Sequence, residues 1–401
     1  MTGHGHGHGH GHGYAPTWSE ARRRARDCAE PLPAVTLPSD GTLGHALAAP
    51  LTALTDLPPF DTSAMDGWAV AGPGPWHVGS EAVLAGDRPA LLAEGSAVAI
   101  ATGARLPVGA TSVLRREHGE LAGRSGTLHD RSGSTEPVPP GRDIRPRGQE
   151  CGTGDLLLPA GATVTPSALG LAAAAGYDTL AVHRRPTVEL LVLGDELLHS
   201  GPPRDGRIRD ALGPLLPPWL HSLGADVTSH RTVMDDPTRL AEAIRESPVD
   251  FLHPTLRAAG ARLLVDSVAV RPGHPMLLAE LPPHADGRAR RLVGLPGNPL
   301  AAVAGVLTLA APLLRRLGGH AAAAPLHVRA GAALPGHPTH TRLLPVRRAG
   351  DAVLPLPFGG PAMLRGLALA DGLAVVPPGG AQQGTAVELL PVPGQRPAPG
   401  P

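Results

Sequence analysis

TVELLVLGDEL, residues 187–197, is an apolar run of strand-forming residues that ends in a glycine and two carboxylates, Asp195 and Glu196. Open α/β sheets bind ligands beyond the carboxyl ends of their strands, so this stretch predicts such a sheet with a site at its edge. Downstream, GLPGNP, residues 294–299, holds the only asparagine in a chain that has no lysine at all. Asn298 suits the N-cap and Pro299 the first helical position, which predicts a helix whose free N–H groups and positive dipole end form an oxyanion cradle. On this motif alone a plain strand-to-helix turn is the equal alternative. Upstream, PPFDTSAMDGWAV, residues 58–70, packs Asp61, Asp66, a serine and a glycine turn into one stretch. It is too polar for a core and too apolar for a linker.

Working outward, 401 residues exceed one ordinary hydrophobic core, and domains of roughly 100–150 residues suggest about three units. Lys+Arg and Asp+Glu balance at 35 each, so no basic surface asks for nucleic acid. The ARRRAR run at residues 21–26 reads as a solvated helix start. Cys28 and Cys151 are too few for a disulfide framework and lack the paired spacing of a zinc site, so a reducing, cytoplasmic setting is expected. No membrane span or signal peptide is expected. The His-Gly alternation from His4 to His12 could hold Ni, Cu or Zn, but reads as a tag-like or low-complexity disordered tail, residues 1–17. A second disordered tail is expected at residues 394–401.

Between the tails, residues 18–50 read as helical. From about residue 69 to 158 the pattern changes to short β-type runs broken by Gly and Pro. A helix returns at TPSALGLAAAAG, residues 165–176, with Thr165 as cap, Pro166 in the first turn and Gly176 as terminator. The first domain is therefore expected over residues 18–182 with a β-rich insertion at about 69–158. An α/β domain follows at 186–320, with strands at 187–197, 226–234 and 261–270, helices at 212–225, 235–247 and 254–261, and a closing strand, tight turn and long apolar helix. Short strands over 325–393 predict a C-terminal β domain.

Taken singly, the candidate side chains have ordinary readings. Asp61 and Asp66 serve as caps or turn formers, Thr102 as a turn residue, and Asp143 as an ion-pair partner of Arg142, Arg145 or Arg147. Asp195 and Glu196 make a solvated loop, and Asp250 a helix cap. Taken together, PPFDTSAMDGWAV, AIATGARLPVGA, GRDIRPRG, LGDELL, DDPTRLAEAI, RPGHP and GLPGNPL resemble, in order and rough spacing, the molybdopterin molybdenumtransferase family, to which the gephyrin E domain is also similar. The resemblance implies a multidomain α/β protein with β-rich domains. These are a split helical domain with a β insertion, a three-layer molybdopterin-binding α/β domain with a mostly parallel sheet, and a C-terminal β-barrel, in a homodimer.

It also implies insertion of molybdenum from molybdate into adenylylated molybdopterin with Mg²⁺-dependent release of AMP, downstream of a molybdopterin adenylyltransferase. By resemblance, Asp61, Asp66, Asp143 and Asp250 are catalytic. Ser63, Thr102, Arg271, His274, Gly297, Asn298 and Pro299 hold substrate, and Asp195, Glu196 and Asp250 hold the metal. The chain departs from the pattern in several places. A strand and a Gly-Gly-x-Ser turn are missing before Ser247, which should remove an inner strand of the α/β sheet. Arg271 and His274 replace lysines, Leu193 stands for a threonine, Ala211 and Leu212 for Ser-Asn, and Ala301 for a serine. These losses motivate a second reading, a catalytically inactive paralogue that binds molybdopterin or a partner protein.

Overall fold

Thr17 opens the first helix. Its hydroxyl accepts from the Glu20 N–H at 3.3 Å while the Glu20 carboxylate accepts from the Thr17 N–H at 2.8 Å, a capping box worth about 1 kcal/mol. This helix, α1 (Trp18–Asp27), is shorter than the helical stretch expected over residues 18–50. Beyond it the chain runs as the strand Ala34–Pro38 and as extended segments, because Ala46 and Leu47 are buried by tertiary partners, with Leu47 bridging Val182. The computed structural model describes residues 15–122, 126–133, 136–233, 256, 259–284 and 287–393. Nearly all of the expected tails, the helix at 235–247, most of that at 254–261, the junction before Ser247 and Asp250 lie outside the described residues.

The chain forms two units. The first draws its described residues from Met1–Val35, Gly44–Ala48 and Val182–Pro401. In it Thr187–Leu193 pairs in parallel with Asp226–Val233, and the crossover between them carries the helix α3 (Leu212–Ser222). Leu216, Trp219 and Leu220 of that helix are buried in the core. A separate three-stranded sheet joins Arg262–Asp266, Leu277–Leu281 and Arg290–Gly294, and both of its pairings are antiparallel. The expected sheet was mostly parallel. The difference lies in the connections, since the short returns between these three strands cannot provide the dozen or more residues a parallel crossover needs.

The apolar helix after GLPGNP, α4 (Pro299–Leu317), is long and apolar enough by composition to cross a membrane, but 78% of it is buried inside this unit as a core helix. Its middle, Val306–Ala310, is a π-turn. A π-turn disturbs the regular carbonyl pairing of the helix, and α1 meets it: the Arg22 guanidinium donates to the Leu307 carbonyl, and the Trp18 indole N–H donates to Thr308 Oγ1 at 3.1 Å. At the C-terminal end Thr341–Ala349, Ala352–Pro355, His327–Ala330, Ala386–Pro391 and Gly372–Val376 close into a five-stranded barrel around Leu344, Val346, Val353, Ala374 and Leu389. Val270–Arg271 adds to its edge, parallel to Thr341 and Arg342.

The second unit, Thr36–Leu43 and Ala49–Ala181, contains a six-stranded sheet. Its strand order is Ser112–Arg115, Gly67–Val70, Ser96–Ile100, Trp76–Val78, Thr127–Asp130, Gly119–Ala122. Alternate residues feed two small cores, Ala69, Ile100 and Val113 in one, Val70, Ala97 and Leu114 in the other. The helix α2 (Pro166–Ala174) starts as its sequence requires, with Thr165 Oγ1 accepting from the Ala168 N–H at 3.2 Å and Pro166 in the first turn.

Candidate functional site

In the second unit the stretch at residues 58–70 is a loop held from two sides. Thr62 and Ser63 pair antiparallel with Arg145 and Ile144, while the Gly103 N–H donates to the Ser63 carbonyl and the Ser63 N–H to the Ala104 carbonyl. Gly67 is required where the loop enters its strand, because a Cβ there would lie 2.0 Å from the Leu114 carbonyl oxygen. This bracket sets Asp61 and Asp66 at the ends of a short exposed arch. Asp66 Oδ1 accepts from both the N–H and the hydroxyl of Thr102, at 2.7 and 3.0 Å. Those two bonds, the backbone one first, hold the Asp66 carboxyl below the usual carboxylate range. Asp61 Oδ1 accepts from the Arg147 N–H at 2.7 Å.

Asp143 has a left-handed backbone, φ 54°, a conformation aspartate tolerates better than most residues. Its hydrogen bonds come from Arg115, 28 residues away, while the expected local ion pair is present with Arg142 at 3.7 Å. The Arg115 hydrogen bonds hold its carboxyl below the usual range. Ser63, expected on the substrate, is fully buried, and its hydroxyl donates to the Met65 carbonyl at 2.5 Å, which shapes the arch. Asp56 was not singled out in the sequence. It accepts from the N–H and hydroxyl of Thr153, at 2.7 and 2.8 Å, and from Arg147, which together pull its carboxyl down to about 2. No local pattern announces it, because Thr153 lies 97 residues on.

In the first unit the strand Thr187–Leu193 ends as expected in Gly194, Asp195 and Glu196. Gly194 has φ 139°, and a Cβ there would sit 2.7 Å from the Glu196 carboxylate, so the glycine lets that carboxylate fold back over the strand end. Asp210, another residue the sequence did not flag, is buried. One of its carboxylate oxygens accepts from the Gly213 N–H at 2.9 Å, and the other lies 3.9 Å from His199 Nδ1. Of the three expected metal ligands Asp195 and Glu196 are described and Asp250 is not. Among the described residues no group of three His, Cys, Asp or Glu could hold a metal. Two adjacent carboxylates nevertheless fit Mg²⁺, which commonly takes one or two carboxylates and completes its shell with water and substrate phosphate.

The RPGHP loop, residues 271–275, lies on the first turns of α4. Gly273, φ 106°, has its Cβ direction 3.0 Å from the Ala301 carbonyl and 2.9 Å from the Met276 methyl, so a side chain there would push the loop away. Arg271 stands in register with Arg342 across the strand pair, which places both on one face. Arg342 lines a groove with Pro335, Leu344, Pro355, Leu356, Pro357 and Gly359. Asn298 is the N-cap of α4 and Pro299 its first residue, as expected. The free N–H groups expected there are not free: those of Leu300 and Ala301 both donate to the Pro361 carbonyl, at 2.9 and 3.2 Å. Gly297 and Asn298 remain exposed, and the Asn298 side chain makes no cap bond, so any anion contact at this turn falls to them.

Comparison with known proteins bears on this geometry. Three family models match in order: "MoeA N-terminal region (domain I and II)" over residues 17–176, "Probable molybdopterin binding domain" over 189–316, and "MoeA C-terminal region (domain IV)" over 327–392. Similar proteins include a molybdopterin molybdenumtransferase of Synechococcus elongatus, 32% identical over 316 residues, which are 71% of this chain and 75% of that one. One of Staphylococcus aureus (strain MRSA252) is 29% identical over 331 residues, 75% of each chain. A crystal structure of a molybdopterin biosynthesis moeA protein from Pyrococcus horikoshii shares the fold, with TM-score 0.75 at 20% identity over 94% of this chain and 100% of that one.

Proposed function

This chain belongs to the molybdopterin molybdenumtransferase family and is a transferase of molybdenum cofactor biosynthesis, and from that premise we propose how its residues divide the work. The reaction is insertion of molybdenum from molybdate into adenylylated molybdopterin with release of AMP. The names of the relatives favour this over an inactive paralogue. The observation that supports the reading is the seat of the RPGHP loop on α4, where the Cβ direction of Gly273 meets the Ala301 carbonyl and the Ala304 methyl of the helix that Asn298 caps. Molybdate is an oxyanion and needs cationic and N–H donors, a role assigned to Arg271, His274, Gly297 and Asn298, with Pro299, which has no N–H, fixing the helix start; arginine serves in place of lysine.

Asp195 and Glu196, with Asp250, would hold Mg²⁺, which neutralises phosphate charge when bound. Asp66 is held ionised by Thr102, so near neutral pH it is a weak base; its role is to accept hydrogen bonds and orient substrate. Asp61 acts alongside it. Asp143, gripped by Arg115, is a positioning residue that fixes the 141–147 segment against the arch. The protein works as a cytoplasmic homodimer and receives its substrate from a molybdopterin adenylyltransferase. The test is turnover of adenylylated molybdopterin by the purified protein with Mg²⁺ and molybdate, following AMP release and molybdenum content together. Both should appear in step; ligand binding with neither would return the inactive-paralogue reading.

A further inference from the structure

Three histidines of the first unit meet beside Arg271. The rings of His274 and His340 are 5.4 Å apart and those of His337 and His340 4.7 Å, both edge to face. The hydrogen bonds fix where each neutral ring carries its hydrogen. His274 Nδ1 is 2.7 Å from the Val268 carbonyl, which can only accept, so Nδ1 bears the hydrogen and Nε2 is a bare lone pair. His337 Nδ1 accepts from the N–H groups of His340 and Thr339, at 3.1 and 3.3 Å, so its hydrogen is on Nε2. His340 Nδ1 faces that lone pair at 3.2 Å and Thr339 Oγ1 at 2.8 Å. A hydrogen on His340 Nδ1 removes the clash of two lone pairs and leaves its Nε2 bare.

The charges around this cluster are of one sign. His340 is faced by His337, Arg271 and His274, and burial together with these basic neighbours keeps its imidazole below the ordinary histidine value. Among the described residues Arg271 has no carboxylate or hydrogen-bond partner, and neither does Nε2 of any of the three rings. One fixed cation, Arg271, thus stands without a counterion among three rings whose Nε2 edges are unbonded, an arrangement that an anion would complete.

Resting on the molybdate reading above, we propose that His337 and His340 join His274 and Arg271 in a proton-gated site for a tetrahedral oxyanion. A neutral cluster presents two lone pairs, on His274 and His340 Nε2, that repel oxyanion oxygens. Protonation turns both into N–H donors and adds two charges, so anion binding takes up protons. Affinity therefore changes about tenfold per pH unit for each proton taken up, and rises as pH falls.

The test is direct binding of molybdate alone to the full chain by equilibrium dialysis from pH 6 to pH 8, for the wild type and for His340→Gln and His274→Gln. The wild type should lose at least about tenfold in affinity over that range, and each variant should have a flatter profile than the wild type. Binding that does not change with pH overturns the gate, as does an unchanged slope in both variants. Ni²⁺ binding at pH 8 that His340→Gln abolishes, with no molybdate bound at any pH, would make the cluster a metal site and overturn it too. The two readings fail separately: AMP release with flat molybdate binding removes the gate and leaves the transferase, whereas steep binding without turnover leaves the gate and removes the transferase.

Discussion

The guanidinium of Arg115 grips both oxygens of Asp143, Nε to Oδ2 and Nη2 to Oδ1, each at 2.9 Å, and so ties the 141–147 segment to a strand of the six-stranded sheet. Asparagine tolerates the left-handed backbone at this position, so Asp143→Asn removes the charge and leaves the conformation. Because the Arg115 side chain is 38% exposed and solvent screens the pair, thermal unfolding should move little. AMP release should fall by about 10–100-fold as the arch at residues 58–66 loses one of its two walls. The folded carboxyl titrates below its unfolded value, so whatever the pair adds to stability is present above about pH 4 and lost as pH falls through the folded value.

Thr102 and Asp66 make a finer test. Thr102→Val keeps the backbone N–H bond, the larger of the two causes that hold Asp66 down, and deletes only the hydroxyl. Carboxyl titration by NMR should find Asp66 shifted part of the way back toward the ordinary carboxylate range. A shift to the full ordinary value would mean that the loop itself had moved.

Two glycines near α4 should respond in opposite ways. Gly273→Ala forces a side chain against the Ala301 carbonyl and Met276 at a left-handed backbone angle, and should cost about 1–3 kcal/mol by denaturant unfolding, with weaker molybdate binding. Gly297→Ala meets open space and has no left-handed angle, so stability should be unchanged, and any loss of binding would report on the turn itself.

Divalent metal should be needed for AMP release but not for folding. Chelation, or Asp195→Asn with Glu196→Gln, should lower turnover by about 100-fold or more while the unfolding transition stays in place, since the buried core nearby is apolar. Restoration by added Mg²⁺ in the wild type, and not in the double variant, checks that these carboxylates are the ligands.

What the sequence made legible is what local chemistry decides. Thr165, Pro166 and Gly176 start and stop a helix within a dozen residues of one another, and Asn298 with Pro299 starts another, so both are readable without the fold. The order of motifs was sufficient to identify the family. Partners chosen across the chain were not readable. Arg115, 28 residues away, adds the hydrogen bonds that hold Asp143, the Pro361 carbonyl fills the helix start at Leu300 and Ala301, and tertiary burial draws Ala46 and Leu47 out of an apparently helical pattern. His337 and His340 went unnoticed for the same reason: HPTH looks like a surface turn until the strand Val270–Arg271 is laid alongside it.

His320 supplies a pH test of the fold that does not involve the oxyanion site. It is half-buried, and burial first, then Arg315, His45, Arg185 and His183, pushes its imidazole down to about 4. In the unfolded chain it titrates near 6.5, so between about pH 6.5 and 4 the unfolded state binds the extra proton and folding must give it up. Its neutral state thus contributes full stability above pH 6.5, and that contribution declines as pH falls toward 4. The unfolding temperature should drop across this window in the wild type, and drop less in His320→Gln, which cannot be charged. Parallel profiles for the two proteins would mean that other groups set the acid limit of the fold.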